Sequence, residues 1–219
     1  MKTLGLLEKY YPVYLSGLWG TIWISALTVL FGTLLGILVA LMRMSRSKAL
    51  NLISDAYVEV LRGTPILLQL YFFWIGLPKL LSFAELSDTM CIIVALVINA
   101  SAYISEIIRA GIGAVDRGQW EAARSLGLSN RHMMTHVIMP QAVKNILPAL
   151  GNEFISTVKG TSLASVFFVG ELMTSYKTVQ SATFLALESL TIVGIIYFIL
   201  NFVLSKLLKQ LERRLTAGD

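Results

Sequence analysis

The longest uncharged run of this sequence lies at residues 10–42, which read YYPVYLSGLWGTIWISALTVLFGTLLGILVALM. The run contains no Asp, Glu, Lys, Arg or His. A helix that crosses the hydrocarbon core of a bilayer needs about 20 predominantly apolar residues, so this run is long enough for a complete transmembrane helix. The whole chain has the same character, because 56% of its residues are hydrophobic and 14% are charged. This composition excludes an ordinary water-soluble globular domain.

Further apolar stretches predict an all-α, polytopic integral membrane protein. Three of them are free of charged residues and reach about 20 residues when their interfacial ends are included: 63–78, 89–105 and 189–205. A fourth stretch, 147–170, is interrupted by Glu153 and Lys159, which weakens its hydropathy signal. Together with residues 10–42, these stretches predict about five transmembrane helices.

The distribution of lysine and arginine predicts an outside amino terminus, because cytoplasmic loops retain cations during membrane insertion. With five spans, these cations lie on the cytoplasmic side: Arg43, Arg46, Lys48, Arg62, Arg109, Arg117, Arg124, Arg131, Lys144, Lys206, Lys209, Arg213 and Arg214. The outer side holds Lys2, Lys9, Lys79 and Lys177, and Lys159 lies within a span. Topology and lipid head groups therefore explain the net charge of +5. The sequence has no interleaved aromatic and basic residues of the kind that form a nucleic-acid-binding groove, so nucleic-acid binding is not expected.

The chain is expected to form one transmembrane domain. Residues 1–16 are predicted to be an extracytoplasmic or interfacial segment, 17–212 the transmembrane domain, and 213–219 a cytoplasmic tail. A cytoplasmic loop is expected at about 116–140. The first apolar run is too long for a signal peptide, so we expect it to be retained as a span. Cys91 is the only cysteine, which excludes an intrachain disulfide.

Local patterns indicate how the spans are built. A cytoplasmic helix is expected around residues 50–61, and Pro65 suits an early turn of the second span. Gly32 and Gly36 form a G-x-x-x-G pair that permits close helix packing, although such pairs are common in apolar sequence. An aromatic belt is predicted at the outer end of the first span from Tyr10, Tyr11, Tyr14, Trp19 and Trp23.

A polar segment between spans has the sequence Glu121-Ala122-Ala123-Arg124-Ser125-Leu126-Gly127, and Val137-Ile138-Met139-Pro140 follows after nine residues. Gly127 suits the left-handed position that ends a helix, Ser129 can cap the next helix, and Pro140 favours another helix start or a kink. Two alanines beside a charge let the backbone of a partner approach closely. We therefore interpret the segment as a docking surface. The alternative is a solvated helical hairpin.

Three parts of the sequence together resemble a known family. They are the run from Asn99 to Ile112, the stretch Arg62-Gly63-Thr64-Pro65, and the Glu-Ala-Ala loop. The chain resembles the permease subunits of bacterial ABC importers for polar amino acids, which have the type I importer architecture. In that family the loop has the form E-A-A, three residues, G, nine residues, I-x-L-P. This chain keeps that spacing, with Val137 and Met139 at the Ile and Leu positions.

The resemblance implies a mechanism and a set of partners. The loop would form a coupling helix seated in a cleft of a separate ATP-hydrolysing subunit, through Glu121, Ala122, Ala123, Gly127 and Pro140. Two copies of that ATP-binding subunit would bind ATP and Mg²⁺, and this chain would carry no cofactor. The other implied partners are a second permease subunit, in a homodimer or heterodimer, and an extracytoplasmic amino-acid-binding protein. The chain would translocate a polar amino acid by alternating access.

The sequence itself supports the assignment of ATP hydrolysis to a separate chain. It contains no Gly-Lys dipeptide, and therefore no G-x-x-x-x-G-K-[ST] loop that could hold the phosphates of ATP. It also shows no nucleophile–base pair, so no enzyme activity is expected on this chain. The rival hypothesis is an ion-gradient-driven secondary amino acid transporter, in which Glu153 would be a proton or sodium site.

Polar residues inside apolar spans are the candidates for a substrate pathway, because burying them costs free energy unless they pair or line a cavity. They are Asn99, Ser101, Glu153, Lys159, Thr161 and Ser162. We hypothesise that Glu153 meets a substrate ammonium and that Lys159, or nearby backbone amides, meets its carboxylate. Alternatively, Glu153 lies at the cytoplasmic interface and Lys159 snorkels, so that both only anchor the helix. For Asn99 and Ser101, hydrogen bonding between spans is the alternative.

The segment around Lys159 carries two further expectations. Residues 141–170 as one helix would span roughly 45 Å, longer than a bilayer core of roughly 30 Å, so we expect a tilt or a break. The residues that favour a break are Pro148, Gly151 and Gly160. Members of the family often have an acidic residue directly after this lysine, where this chain has Gly160. That difference favours a neutral or sulfur-containing polar amino acid over a cationic one.

Two remaining pairs of polar residues have simple interpretations. Glu106 and Arg109 are three residues apart on one helical face and are predicted to pair locally. His132 and His136 have a spacing found in zinc sites, but no third ligand or catalytic glutamate accompanies them, so no metal site is expected.

Overall fold

The structure is a computed structural model that describes residues 2–82 and 85–216. This part of the chain is helical almost throughout, as the sequence predicts. Its helices are α1 (Lys2–Arg43), α2 (Lys48–Gly63), α3 (Ile66–Leu80), α4 (Asp88–Gly113), α5 (Arg117–Ser125), α6 (Asn130–His132), α7 (Met139–Gly160), α8 (Leu172–Thr183) and α9 (Ala186–Thr216). A π-helical segment, Met133–Ile138, joins α6 to α7, and a 3₁₀ segment, Thr161–Phe167, follows α7.

Among the described helices, α1, α4 and α9 are long and apolar enough to cross a membrane. The bent pair α2–α3 would add a fourth span if it is counted as one. The predicted span at 147–170 overlaps α7, which packs against α1, α4 and α9. The expected break occurs at Gly160, where the α-helix gives way to the 3₁₀ segment. Pro148 and Gly151 lie within the continuous helix α7.

The second predicted span differs from its expected form. Helix α3 has 15 residues and is therefore about 22 Å long, too short to cross a core of about 30 Å alone. It meets α2 at 110°. Pro65 causes this bend, because it restricts the preceding residue, Thr64, to the extended conformation (φ −118°, ψ 147°). The side-chain amide of Gln69 then donates hydrogen bonds to the carbonyl oxygens of Leu61 (2.7 Å) and Thr64 (3.2 Å), which stabilises the corner.

The two ends of the helical bundle carry different elements. At one end, Arg43 of α1 forms ion pairs with Asp55 of α2 and Glu106 of α4, and α5 and α6 follow α4 there. At the other end, the first half of α1 packs against α8 and α9. We call these the cytoplasmic end and the outer end, following the distribution of cations along the chain.

The structure corrects the prediction of an aromatic belt. Tyr14 is only 2% exposed, and its hydroxyl lies 2.8 Å from the Ser189 hydroxyl of α9. Trp23 packs against a buried cluster that includes Ile24. Trp19, in contrast, is 67% exposed, as an interfacial residue would be. The reason is that α1 packs against α8 and α9 around Tyr14 and against α3 and α4 around Trp23, so aromatic residues on its inner faces fill the protein core.

The two predicted terminal segments are continuous with helices. Residues 2–16 belong to α1, and residues 213–216 belong to α9. Met1 and residues 217–219 lie outside the described residues. The boundaries at residues 16 and 213 therefore do not coincide with ends of secondary structure.

The G-x-x-x-G pair brings α1 and α4 close together. A Cβ atom added at Gly32 would lie 3.1 Å from the Ala100 Cβ, and one at Gly36 would lie 2.8 Å from the Ile104 Cγ2. The latter distance is shorter than carbon atoms tolerate. Glycine at position 36 is therefore required by packing between the two helices.

Replacing Gly36 by alanine is expected to destabilise the protein by about 1–3 kcal/mol, because the branched Ile104 side chain leaves no room for the added methyl group. Thermal unfolding of the purified protein in detergent measures the effect. The matched control is Gly194→Ala in α9, where the added Cβ meets nothing within 4 Å. Alanine favours a helix by about 1 kcal/mol over glycine, so this control should unfold no earlier than the parent. Equal midpoints for the two variants would contradict the packing explanation.

Candidate functional site

A polar cavity of about 410 Å³ lies between α1, the α2–α3 corner, α4 and α7. Twelve residues from these four parts of the chain line it: Thr28, Thr64, Pro65, Ile66, Leu96, Asn99, Ala100, Tyr103, Glu153, Ser156, Thr157 and Gly160. The volume is within the range of small-molecule sites, roughly 300–1,000 Å³. Hydroxyl, amide and carboxylate groups on otherwise apolar helices are the arrangement expected for a binding site.

Glu153 is the one carboxylate among the described residues that line this cavity, and no lysine or arginine is among them. It lies on α7, one helical turn before Ser156 and Thr157, which also line the cavity. Its side chain is partly exposed towards the cavity. The cavity therefore presents a single acidic group surrounded by neutral hydrogen-bonding groups, which suits a ligand with one positively charged group.

Asn99 connects the cavity wall to the α2–α3 corner. Its side-chain amide donates a 2.9 Å hydrogen bond to Oε1 of Gln69, and Nε2 of Gln69 donates to Oγ1 of Thr64 at 2.8 Å. Both Asn99 and Thr64 line the cavity. Gln69 thus supports the wall from behind and holds the corner in place. Asn99 is among the predicted pathway residues and Gln69 is not, although both are amide side chains inside predicted spans.

Thr28 is a cavity residue that the sequence analysis did not identify. The residue lines the cavity, and its buried hydroxyl oxygen has no hydrogen-bond partner among the described residues. A buried hydroxyl without a partner carries a cost in free energy of about 1–3 kcal/mol. Because this hydroxyl is buried without a partner beside a cavity, Thr28 is the residue of α1 that points to a bound ligand. The sequence shows only a threonine in an apolar run.

Four of the predicted pathway residues do not line the cavity. Ser101 faces α2, where its hydroxyl lies 2.6 Å from that of Tyr57. Thr161 and Ser162 donate to the carbonyl oxygens of Val158 and Lys159 within their own turn. Lys159 is exposed. Lys159 and Glu153 are six positions apart, which places them on different faces of α7, so the structure does not support a joint clamp on one ligand.

The polar loop at the cytoplasmic end has the local structure that the sequence predicts. The carboxylate of Asp116 caps α5 by accepting a 2.8 Å hydrogen bond from the backbone N–H of Gly118. At the other end of α5, Gly127 has φ +73°. The N–H groups of Gly127 and Leu128 donate to the carbonyl oxygens of Arg124 and Ala123. This pair of bonds is a Schellman motif, in which glycine is preferred at the left-handed position.

The two faces of α5 have different environments. Ala123 is buried in a cluster with Val115, Met133 and Ile138. The opposite face, which includes Glu121 and Ala122, is exposed, and Leu126 at its end is 79% exposed. One side of the loop is therefore fixed to the bundle, whereas the other presents small and apolar groups to the outside.

The chain continues from this loop into α7 without a break in helical structure. The Ser129 hydroxyl accepts a hydrogen bond from the N–H of His132 and so caps α6, as predicted. The rings of His132 and His136 are stacked with centroids 5.5 Å apart. No group of three or more potential metal ligands occurs within the described residues. Pro140 lies in the first turn of α7, and α7 follows the π-helical segment directly. The projecting loop is thus linked mechanically to the helix that carries Glu153.

A cluster of ion pairs at the cytoplasmic end lies close to the cavity. Glu106 pairs with Arg109 at 2.9 Å, as predicted, and also with Arg62 at 3.4 Å and with Arg43. The guanidinium of Arg62 lies 5.6 Å from the ring centroid of Tyr103, which lines the cavity. The sequence indicated only the local pair, because the other two arginines lie on α1 and α2.

A bundle of apolar helices that encloses a polar cavity and carries an exposed helical loop at its cytoplasmic end defines a membrane permease. The chain belongs to the family described as the binding-protein-dependent transport system inner membrane component, whose model matches residues 32–217. It is therefore a multi-pass protein of the cytoplasmic membrane.

Individual relatives agree with this assignment. The chain is 41% identical over 208 residues to the arginine transport system permease protein ArtQ of Bacillus subtilis, covering 95% of this chain and 94% of that protein. It is 35% identical over 204 residues to the glutamine transport system permease protein GlnP of Escherichia coli K12, covering 93% of each.

Solved structures show the same architecture. A crystal structure of an amino acid ABC transporter with histidines superposes with a TM-score of 0.91 at 45% identity, covering 95% of this chain and 96% of that one. The methionine ABC transporter MetNI in an inward-facing conformation gives a TM-score of 0.80 at 17% identity, covering 93% and 96%. The latter similarity shows a shared fold alone.

Proposed function

We propose that this protein is the permease subunit of an ATP-driven importer and that it translocates a polar amino acid by alternating access. The observation that carries the proposal is the polar cavity, in which Glu153 is the one carboxylate among the described lining residues and lies in a helix continuous with the exposed α5–α6 loop. The names of the relatives, which include arginine and glutamine permeases, support an amino acid as the substrate class.

The cavity suggests how an amino acid is held. The α-ammonium of the substrate would form a charge-assisted hydrogen bond with Glu153. Its carboxylate would accept hydrogen bonds from neutral donors that line the cavity, among them Thr28, whose hydroxyl has no other partner among the described residues, and Asn99. Gly160 lines the same cavity, and a residue with an acidic side chain there would supply a second carboxylate. With glycine at this position, the cavity favours an amino acid whose side chain is neutral.

The exposed face of α5 supports the proposed coupling to ATP hydrolysis. Glu121, Ala122 and the protruding Leu126 form a small surface that a cleft in a separate ATP-binding subunit could enclose. The left-handed Gly127 and Pro140 at the start of α7 set the direction in which that surface is held. In this assembly two ATP-binding subunits carry ATP and Mg²⁺, a second permease subunit completes the pathway, and an extracytoplasmic binding protein delivers the amino acid.

Uptake into proteoliposomes that contain the permease with its ATP-binding subunit tests the proposal. With the binding protein present, we expect accumulation of neutral polar amino acids that requires ATP and is unaffected by a protonophore or a sodium ionophore. The panel should include neutral, sulfur-containing and cationic amino acids. Uptake that needs an ion gradient and continues without ATP would instead establish a secondary transporter, with Glu153 as its ion site.

A further inference from the structure

Glu171 is a fully buried carboxylate to which neither the family comparison nor the cavity assigns a role. It lies between the 3₁₀ segment and α8, at 0% exposure. Its side chain does not line the substrate cavity. A buried carboxylate is costly unless hydrogen-bond donors surround it, so the partners of Glu171 are informative.

The first turn of α8 is organised around this residue. Three backbone N–H groups of that turn donate to Glu171: Met173 to Oε2 at 2.8 Å, Thr174 to Oε1 at 2.6 Å, and Ser175 to the backbone carbonyl at 3.0 Å. The Leu172 N–H donates to the Thr21 hydroxyl of α1 at 3.1 Å. The N–H groups of Leu172, Met173 and Thr174, which a helix start leaves without an internal partner, are thus satisfied by Glu171 or by α1.

The same carboxylate also binds α9 and lies against α1. The Tyr197 hydroxyl of α9 donates to Oε2 at 3.0 Å. On the α1 side, a Cβ atom added at Gly20 would lie 2.0 Å from the carbonyl oxygen of Gly170, so the two backbones are in direct contact. Glu171 is therefore the point where α1, α8 and α9 are tied together. The donors that reach its carboxylate are all neutral groups.

We call these contacts of Glu171 with α1, α8 and α9 the tie. The segment that the tie holds, residues 161–170, leads from the cavity to the outer end. It begins after Gly160, which lines the cavity, and continues through the 3₁₀ segment, where Phe167 packs against Tyr71 at 4.8 Å and Trp74 at 5.4 Å. It then passes through Phe168, which is 80% exposed and has φ +55°. A phenylalanine persists in this left-handed conformation only when its surroundings impose it. Here the N–H groups of Phe168 and Val169 donate to the carbonyl oxygens of Ser165 (3.2 Å) and Ala164 (3.3 Å), the same pair of bonds that ends α5. Glu171 anchors the chain three residues later.

We infer that Glu171 is a positioning residue that keeps residues 161–170 closed over the outer side of the cavity, with Tyr197 as its second attachment. The inference rests on the proposed transport function only for its consequence. When the tie is weakened, the cavity opens to the outside without a signal from ATP, and hydrolysis is no longer matched to uptake.

Thiol labelling tests this inference without requiring transport. In a Cys91→Ser background, Ser165→Cys places a nearly isosteric thiol at a position that is 4% exposed within the held segment. A membrane-impermeant maleimide is added from the outside to the folded permease complex, without ATP or amino acid. Glu171→Gln should raise the labelling rate about tenfold, because glutamine keeps one acceptor oxygen and cannot receive all the bonds of the carboxylate. Tyr197→Phe should give a smaller increase.

Two further variants make the result decisive. Glu188→Gln removes a carboxylate from the first turn of the neighbouring helix α9, outside the tie, and should label at the parent rate. The double variant Glu171→Gln/Tyr197→Phe should label no faster than Glu171→Gln alone, because both changes break the same connection. An unchanged rate in folded Glu171→Gln would overturn the inference. If that variant does not fold, an unchanged rate in Tyr197→Phe would do so.

A transport readout separates the inference from the proposed function. In proteoliposomes, Glu171→Gln should raise the ATP hydrolysed per amino acid imported about tenfold relative to Glu188→Gln. If Glu171→Gln labels faster than the parent and the parent shows no ATP-driven uptake, the positioning role is supported and the proposed function is contradicted. ATP-driven uptake by the parent, with Glu171→Gln labelled at the parent rate, would support the proposed function and contradict the positioning role.

Discussion

Replacing Glu153 by glutamine is expected to reduce amino acid uptake by about tenfold to a hundredfold. The substitution keeps the size of the side chain but removes the one carboxylate among the described residues of the cavity lining. A hydrogen bond to a charged group contributes about 1.5–3 kcal/mol, and each 1.4 kcal/mol corresponds to a factor of ten in affinity. Initial rates of uptake at a series of substrate concentrations, with direct binding to the purified complex, measure the effect.

The matched control for this prediction is Lys159→Met. Both substitutions remove one charge from α7, but Lys159 is exposed and does not line the cavity. Its loss should change uptake by no more than about twofold, because exposed charges away from a site contribute little. Uptake at the parent rate by folded Glu153→Gln would remove the proposed substrate contact. Equal losses in both variants would point to an anchoring role of the two charges in the membrane.

The second large effect is expected at the cytoplasmic loop, where Gly127→Val should uncouple ATP hydrolysis from uptake. Gly127 has φ +73°, and an added Cβ would meet nothing within 4 Å, so any effect comes from the backbone and not from a clash. A side chain in the left-handed region costs about 1–2 kcal/mol, and more for a β-branched residue. The Schellman bonds that end α5 would be lost, and the exposed face with Leu126 would turn away from its partner.

The ratio of amino acid imported to ATP hydrolysed measures this coupling, and we expect it to fall about tenfold in Gly127→Val. Gly127→Asn is the control, because asparagine adopts the left-handed conformation more readily than other residues with a side chain. It should retain most of the coupling. If valine and asparagine gave the same ratio, or if valine left it unchanged, the left-handed turn would have no part in transmitting the signal.

Local features of this protein follow from the sequence because they depend on neighbouring residues alone. The apolar run at residues 10–42 predicts a span, since each residue contributes its own transfer free energy to the bilayer. Gly127 and Ser129 predict a helix end and a helix start, and the structure has both. The pair Glu106–Arg109 is likewise local, because three residues on a helix bring the side chains together.

The residues that line the cavity could not be predicted in the same way. Thr28 and Ser101 are both hydroxyl residues within apolar runs, yet one faces the cavity and the other binds Tyr57 on α2. Their sequence surroundings do not distinguish them. The difference depends on how each helix is rotated about its axis relative to its neighbours, and packing between distant parts of the chain sets that rotation.

The sequence by itself determined the helical class, the apolar spans and the ends of the projecting loop. Only the tertiary structure decided that Thr28, Asn99 and Glu153 share one cavity, and that Glu171 ties α8 to α1 and α9. The physical reason is the range of the interactions. Hydropathy and helix capping act within a few residues, whereas a shared cavity or a buried carboxylate requires groups as far as 151 residues apart to meet.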